Sequence, residues 1–494
     1  MSVSFAEKHG LLDENFASKF ENIENILEHR KIKLVRIAWS DSHGHSRAKL
    51  IPTKIFLEAL KNGYNTNVAT FTLDGSGGRV FRSFIRGGGM SLDKMTGSPN
   101  LILIPDPNSF RALPWAERIA WVMCDEYFLD GTPFYFSSRQ KLKDQIQKLA
   151  KHNAELTVGL EIEWYLRKLD QQYSEENTGT PGFRGQAIQT LPIEPGYSYH
   201  SETNMDLIQP LLSELSTAYA NLNIPVRSIE NEYGPGQLEC TFSPTSALVA
   251  ADNYVLFRTA TRQICRRFGY FATFMCKPHL EGYYTSGWHL HQSLTHIGSG
   301  KNLCMPEDNS QPFSLMGQRY LAGLLRHAAE AAVFSTPTIN GYQRFKPNSL
   351  APDRATWSMD HRGAMLRVLG GPRDPGTRIE NRIGEPAANP YLFIASQIAC
   401  GIAGIDGKYV PWEADEEPYE ADRPKLPKSL GHALEALEKS QLFRDQFGSM
   451  FIDYYLALKQ AELGRYNHYV KAHSTDDAGN GVSCWERDEY FDFF

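Results

Sequence analysis

Apolar residues recur along this chain in two rhythms, one close to 3.6 residues and one of two. Phe16, Phe20, Ile23 and Leu27 stand at helical spacing, which predicts an amphipathic helix over residues 14–30. KLVRIAWSD (33–41) and SRAKLIP (46–52) predict two strands around a hairpin turn at Asp41-Ser42-His43-Gly44. LILIPDP (101–107) and RIAWVMCDEYF (118–128) extend them into a small, mostly β unit that closes near Asp130-Gly131-Thr132-Pro133. The expected organisation is an N-terminal helix over 1–29, a small domain over 30–132 and a large one over 133–494.

Beyond that boundary the alternation changes character. After a helix expected from a Ser138 cap to His152, four short stretches set polar residues against apolar ones with period two. LTVGLEIEWYL puts Glu161 and Glu163 on one face and Leu160, Ile162 and Trp164 on the other. GQLECTF does the same with Gln237, Glu239 and Thr241, and Glu232 lies just upstream. SGWHLHQSL aligns His289, His291 and Ser293, and TRIENRI aligns Arg378, Glu380 and Arg382. Helices are expected over 318–334, 430–447 and 450–466, with an acidic, proline-bearing connection over 413–427. The apolar run 391–405 is too short to span a bilayer and reads as a buried helix.

Carboxylates spaced in this way repel one another unless cations neutralise them. Five glutamates and one histidine form a hard, oxygen-rich donor set, suited to Mg²⁺ or Mn²⁺ rather than structural zinc. Residues 337–391 hold seven arginines against five acids, set among apolar residues and turns. Guanidinium forks match carboxylate and phosphate, so an anionic ligand is expected there. Two ions facing arginines suggest phosphoryl transfer from a nucleotide. A rival reading takes His289-x-His291 as the metal pair of a hydrolase, which leaves the arginines unexplained.

Composition narrows the field further. A net charge of −6 argues against a general nucleic-acid binder. Seven cysteines, none spaced CxxC, give neither a zinc cluster nor a disulfide framework and suit a reducing cytoplasm. The first ten residues lack the apolar core of a signal peptide, so a cytoplasmic protein without membrane attachment is expected. Glycines at 75, 77, 78 and 87–89 punctuate a loop able to approach a ligand, without a phosphate-loop fingerprint.

Taken in order, Asp74-Gly-Ser76, Glu161-Ile-Glu163, Glu232-x6-Glu239, Lys277-Pro278 and Ser286-Gly-Trp-His289-Leu-His291-Gln-Ser293 resemble the glutamine synthetase family. The match continues through Asn340-Gly-Tyr-Gln-Arg344, Ala351-Pro352, Arg362 to Arg367, and Arg378-Ile-Glu380-Asn-Arg382 followed by Pro386-Ala-Ala-Asn-Pro-Tyr391. The resemblance implies an α+β fold: an N-terminal β-grasp domain, and a catalytic domain whose curved antiparallel sheet is flanked by helices. It implies Glu163, Glu232 and Glu239 on one metal and Glu161, His289 and Glu380 on a second. Arg344 and Arg382 would grip glutamate; Arg362, Arg367 and Arg378 would meet phosphate and nucleotide, with His291 and Ser293 also on the nucleotide. Asp74 would sit at the amine site. The implied substrates are ATP, L-glutamate and an amine, joined through γ-glutamyl phosphate. The implied assembly is a dodecamer of two hexameric rings, one subunit's N-terminal domain completing its neighbour's site.

Three positions depart from a glutamine synthetase that uses ammonia. Leu350 stands where the flap carries a glutamate, Asn100 aligns with a second acid of the ammonium site, and Thr285 replaces a glycine. Ammonium needs negative charge around it, so Leu350 and Asn100 point to an organic amine, aniline or an alkylamine, while Thr285 bears on the usual glutamate contact. Phe71, Phe81 and Phe84 are candidate walls for it. The alternatives are ordinary glutamine synthesis and a non-catalytic family member.

Overall fold

The computed structural model describes residues 3–170, 173–278, 282–308, 311–473 and 481–494. The first strands form one sheet: β1 (Leu34–Ser40), β2 (Ser46–Pro52), β3 (Tyr64–Asn67), β4 (Asn100–Pro105), β5 (Arg111–Ala112) and β6 (Ile119–Tyr127). Their order is β2-β1-β6-β4-β3, with β5 on β6. The pairing of β1 with β6 is parallel and the other pairings are antiparallel. Val35, Ile37, Leu101, Leu103, Val122 and Cys124 are fully buried in it, as alternation along strands with one covered face requires.

The second sheet is larger. It comprises β7 (Ala154–Leu169), β8 (Thr190–Leu191), β9 (Val226–Asn231), β10 (Gln237–Phe242), β11 (Thr245–Ser246), β12 (Tyr270–Thr273), β13 (Trp288–His296), β14 (Trp357–Met359), β15 (Leu366–Leu369) and β16 (Arg378–Gly384). Its spine runs β14-β15-β16-β13-β7-β10-β9. All contacts along it are antiparallel except β14 with β15. β7, sixteen residues long, is the axis on which five other strands pair. Its apolar side, Leu160, Ile162 and Trp164, packs inward and fixes which way Glu161 and Glu163 point.

Helices cover that apolar side. Ala247–Arg267 and Pro390–Asp406 lie in the core, the latter buried along almost its whole length. Three expected elements differ in detail. Ser137, not Ser138, caps the helix Ser138–Ala150, its hydroxyl accepting from the Gln140 amide. The segment 318–334 is two helices, Leu315–Arg326 and Ala328–Ser335, broken at His327. The segment 430–447 breaks where Ser440 caps a new helix, Gln441–Phe447. Among the described residues no helix is long and apolar enough to cross a membrane.

Candidate active site

The polar face of the large sheet gathers charge from six strands. Glu163 on β7 stands directly opposite Glu239 on β10, which in turn faces Glu230 on β9. Glu161 faces His289 on β13, and Glu380 on β16 faces both His291 and Arg367 on β15. Facing like charges on neighbouring strands destabilise a sheet. Three-residue groups nevertheless form: Glu161, His289 and Glu380, and Glu163, Glu239 and His289, each with donor atoms within 4.8 Å of one another.

Hydrogen bonds fix these side chains. His289 Nδ1 lies 3.2 Å from Glu161 Oε2, and His291 Nε2 lies 2.8 Å from Glu161 Oε1. Arg378 Nε donates to His291 Nδ1 at 2.9 Å, so the imidazole carries its proton on Nε2 and presents it to Glu161. Glu163 Oε2 accepts from the Gly287 amide at 2.9 Å and from Gln237 Nε2 at 3.1 Å. Gly287 is required here: a Cβ would fall 2.5 Å from Arg344 Nη1 and 3.0 Å from His289 Nε2.

The electrostatics divide the site. Burial alone would raise the Glu161 carboxyl, but hydrogen bonds from His289 and His291 outweigh it and hold the group well below the usual range. Burial likewise opposes Arg382, His289 and His291 at Glu380, and these neighbours win, holding the carboxyl below its usual range. On the other side no cation among the described residues compensates, and only the Tyr233 amide, donating to Glu232 at 3.2 Å, opposes the rise. Burial and then Glu163 push Glu232 up to about 8, and burial with Glu163, Glu161 and Glu232 pushes Glu239 up to about 10. That half of the cluster lacks a counter-charge.

The arginines take distinct positions. Arg344 is 3% exposed, donates to the Arg382 carbonyl at 3.1 Å, and its Nε has no hydrogen-bond partner. A buried guanidinium beside carboxylates, with an open donor, is suited to an incoming anion. Arg382 donates to Glu380, to the Arg362 carbonyl at 3.0 Å and to the Leu350 carbonyl at 3.3 Å. Arg367 is committed within the chain, bonding Glu380 at 2.9 Å and Asp360. Arg362 is exposed, and Ser293 lies two residues beyond His291 on β13.

Asp74 is not brought to this cluster. Its Oδ1 accepts from the Ser76 amide and hydroxyl and from the Gly78 amide, and its Oδ2 accepts from Arg465 Nε at 2.9 Å. Arg465 is held in turn by Glu489 at 2.7 and 3.0 Å. Asn100 is exposed at the start of β4. Leu350 is 68% exposed at φ 61°, a left-handed conformation uncommon for leucine, on the loop docked against Arg382.

Phe71 and Phe81 are buried core residues. Phe71 packs edge-on against Phe134 and Phe81 stacks on Tyr454, both inside the core; Phe84 is 72% exposed. The aromatic residues that do adjoin the carboxylates are ones the sequence gives no reason to group. Tyr197, Tyr233 and Tyr284 form an exposed edge-to-face trio, with centroids 4.8 to 6.3 Å apart. Tyr233 follows Glu232 directly, and Tyr284 precedes the Ser286-Gly287 turn by two residues.

Comparison with known proteins places this geometry. Residues 136–477 match the catalytic domain of glutamine synthetase. The chain belongs to the glutamine synthetase family. The ligases of this family generally use ATP and divalent metal ions, which agrees with the carboxylate cluster. Over 495 residues the chain is 39% identical to a gamma-glutamylanilide synthase from an Acinetobacter species, covering 99% of both proteins. It is 29% identical over 460 residues to a gamma-glutamylethanolamide synthetase from Streptomyces coelicolor, covering 91% of this chain and 93% of the relative. Its fold matches the GmaS/ADP complex with a TM-score of 0.75 at 24% identity, over 92% of this chain and 97% of the other. The curled sheet and its helices are thus the glutamine synthetase fold.

Proposed function

We propose that this ligase joins the γ-carboxylate of L-glutamate to an organic amine, with an arylamine such as aniline the preferred class, at the expense of ATP and through γ-glutamyl phosphate. The observation that carries the reading is the polar face of the large sheet. Five glutamates and His289 converge there beside a buried arginine with an open donor.

The donor set fits hard divalent ions: carboxylate oxygens, one imidazole, and uncompensated negative charge. Glu161, His289 and Glu380 would hold one ion, and Glu163, Glu239 and Glu232 a second, Mg²⁺ or Mn²⁺. Such ions, when bound, supply the charge that stabilises a transferring phosphoryl group. The chain's own side chains do the rest. Arg344, backed by Arg382, receives the substrate carboxylate. Arg362 and Arg378 reach toward the phosphates, while Arg367 acts by holding Glu380 in place. His291, fixed between Arg378 and Glu161, and Ser293 border the nucleotide. Attack by the substrate γ-carboxylate on the terminal phosphorus then breaks its bond to ADP, which leaves, and gives the acyl phosphate; the amine nitrogen attacks the acyl carbon, phosphate leaves, and the amine's proton passes to solvent or to the departing phosphate.

Amine choice follows from charge. Leu350 and Asn100 leave no acid at two places where ammonium would need one, and Tyr197, Tyr233 and Tyr284 offer aromatic faces beside Glu232. A neutral arylamine needs no anion to bind it. Because Asp74 lies apart from its own chain's carboxylates, we assign it to a neighbour's site in a ring assembly, two hexamers making a dodecamer. The alternative, glutamine formation from ammonia, lacks those acids. The test is phosphate release with glutamate and ATP while the amine is varied. Aniline should support faster release than ammonium at equal concentration; ammonium outcompeting every organic amine would overturn the reading.

A further inference from the structure

A second concentration of arginine lies away from the sheet face just described. A cavity of about 460 Å³ opens between the hairpin of β2, the helix Ala247–Arg267 and β12. Arg258, Arg262, Arg266 and Arg267 line it, spaced along the helix at four-, four- and one-residue steps. Their backbone and aromatic partners are neutral. Arg262 donates to the Phe493 carbonyl at 2.8 Å, and Arg267 to the Gln263 carbonyl at 2.9 Å. Arg266 lies over the Tyr173 ring at 4.7 Å, and Arg258 donates to the Gly44 and Pro386 carbonyls.

Among the described residues none of the four takes part in an ion pair. The acidic groups nearby are Asp492, which accepts from the Ile188 amide at 3.4 Å and acts on Arg262, and Asp41, which acts on Arg258 and is itself paired with Arg47 at 2.7 Å. Four guanidinium groups exceed these two in charge. His45, stacked on Phe493 at 3.8 Å, also lines the cavity, and its Nε2 is buried without a hydrogen-bond partner. Burial and then Arg258 and Arg262 hold that imidazole neutral, a sign of the positive potential around it.

Like charges held together at the edge of a cavity repel unless an anion enters. Planar guanidinium forks pair with phosphoryl oxygens two at a time, and a cavity of this volume accommodates more than one phosphoryl group. We propose that this cavity is a metal-independent binding site for a polyphosphate anion, distinct from the catalytic face. Tyr173 and Phe271 furnish an aromatic rim that would let the anion be the phosphate chain of a nucleotide.

The experiment uses the full-length protein freed of divalent ions with EDTA, which removes the metal charge that would draw polyanions to the catalytic face. Pyrophosphate, ATP and adenosine are titrated separately by calorimetry at low and high salt. Pyrophosphate should bind about once per chain, and the binding should weaken as salt rises. The double variant Arg266→Gln/Arg267→Gln, whose side chains are exposed, should weaken it at least tenfold, as should Arg262→Gln alone. Arg344→Gln should leave it unchanged. ATP tighter than pyrophosphate assigns the site to nucleotide, and equal affinity assigns it to the phosphates alone. Absence of saturable binding overturns the proposal. So does loss on Arg344→Gln with retention in the double variant, or a change of oligomeric mass in the double variant without any anion binding.

Discussion

Two of the charge clusters among the described residues are completed differently. Around Arg139, which is 1% exposed, Asp106, Asp125 and Asp252 close at 2.6, 2.5 and 2.7 Å, tying β4 and β6 to the helix Ala247–Arg267. Lys143 joins at Asp125 and Tyr391 donates to Asp252 at 2.7 Å. Burial would raise Asp125, yet Arg139 and Lys143 bring it down to about 2. The cluster around His289 has the reverse imbalance. Arg367 and Arg382 satisfy Glu380, but among the described ion pairs no lysine or arginine reaches Glu232 or Glu239, and Glu239 stands at about 10. A structural cluster is neutralised by its own chain; the one on the β7 face is left for cations from solution.

Breaking each cluster should therefore give opposite results. Arg139→Met removes the buried cation shared by three half-buried aspartates and should cost about 3–5 kcal/mol of stability, read as a large fall in urea midpoint. Glu239→Gln should do the converse. It removes a repelled carboxylate, so the metal-free protein should melt no lower than wild type, while kcat/KM for amide formation falls about 100-fold or more, at least the loss typical of disturbing a metal site. Equal destabilisation by the two variants would erase the distinction.

A smaller effect sharpens it. Leu350→Glu restores an acid over the glutamate entrance and should shift the ammonium-to-aniline ratio of kcat/KM about tenfold toward ammonium, the ~1.4 kcal/mol of one charge-assisted contact. An unchanged ratio would move amine choice elsewhere.

The smallest signal is in protons. Glu232 and Glu239 have folded values near 8 and 10 against an ordinary 4.5, so they are mostly protonated at neutral pH. Their contribution to stability is full below pH 4.5 and is lost as pH rises through 8 to 10, because the unfolded chain ionises first. Metal-free protein should melt progressively lower across that window. Saturating Mg²⁺ should reverse the trend and release about one to two protons per chain at pH 7, measurable as a buffer-dependent binding enthalpy.

Much of this arrangement could be read from residue order because it is local and periodic. Glu161 and Glu163 alternate with Leu160, Ile162 and Trp164, and a strand with one apolar face has one register. Arg378, Glu380 and Arg382 follow the same logic. What escaped depends on residues far apart in sequence. Asp74 and Arg465 are separated by 391 positions, and no local pattern links them. Tyr197, Tyr233 and Tyr284 come from three separate segments that only the folded chain assembles. Phe71 and Phe81 lie near the glycine-rich loop in sequence, but their rings are large enough that the core claims them. The commitment of Arg367 to Asp360 and Glu380 is set by β15 lying against β16, a pairing invisible in a count of arginines.

The most direct measurement is a Mn²⁺ titration of the metal-free full-length protein, followed by calorimetry and by electron paramagnetic resonance. Two ions per chain should bind to the wild type, and Glu239→Gln should retain one, held by Glu161, His289 and Glu380. A wild type that binds no manganese, or a Glu239→Gln variant that still binds two ions with undiminished affinity, would contradict the account.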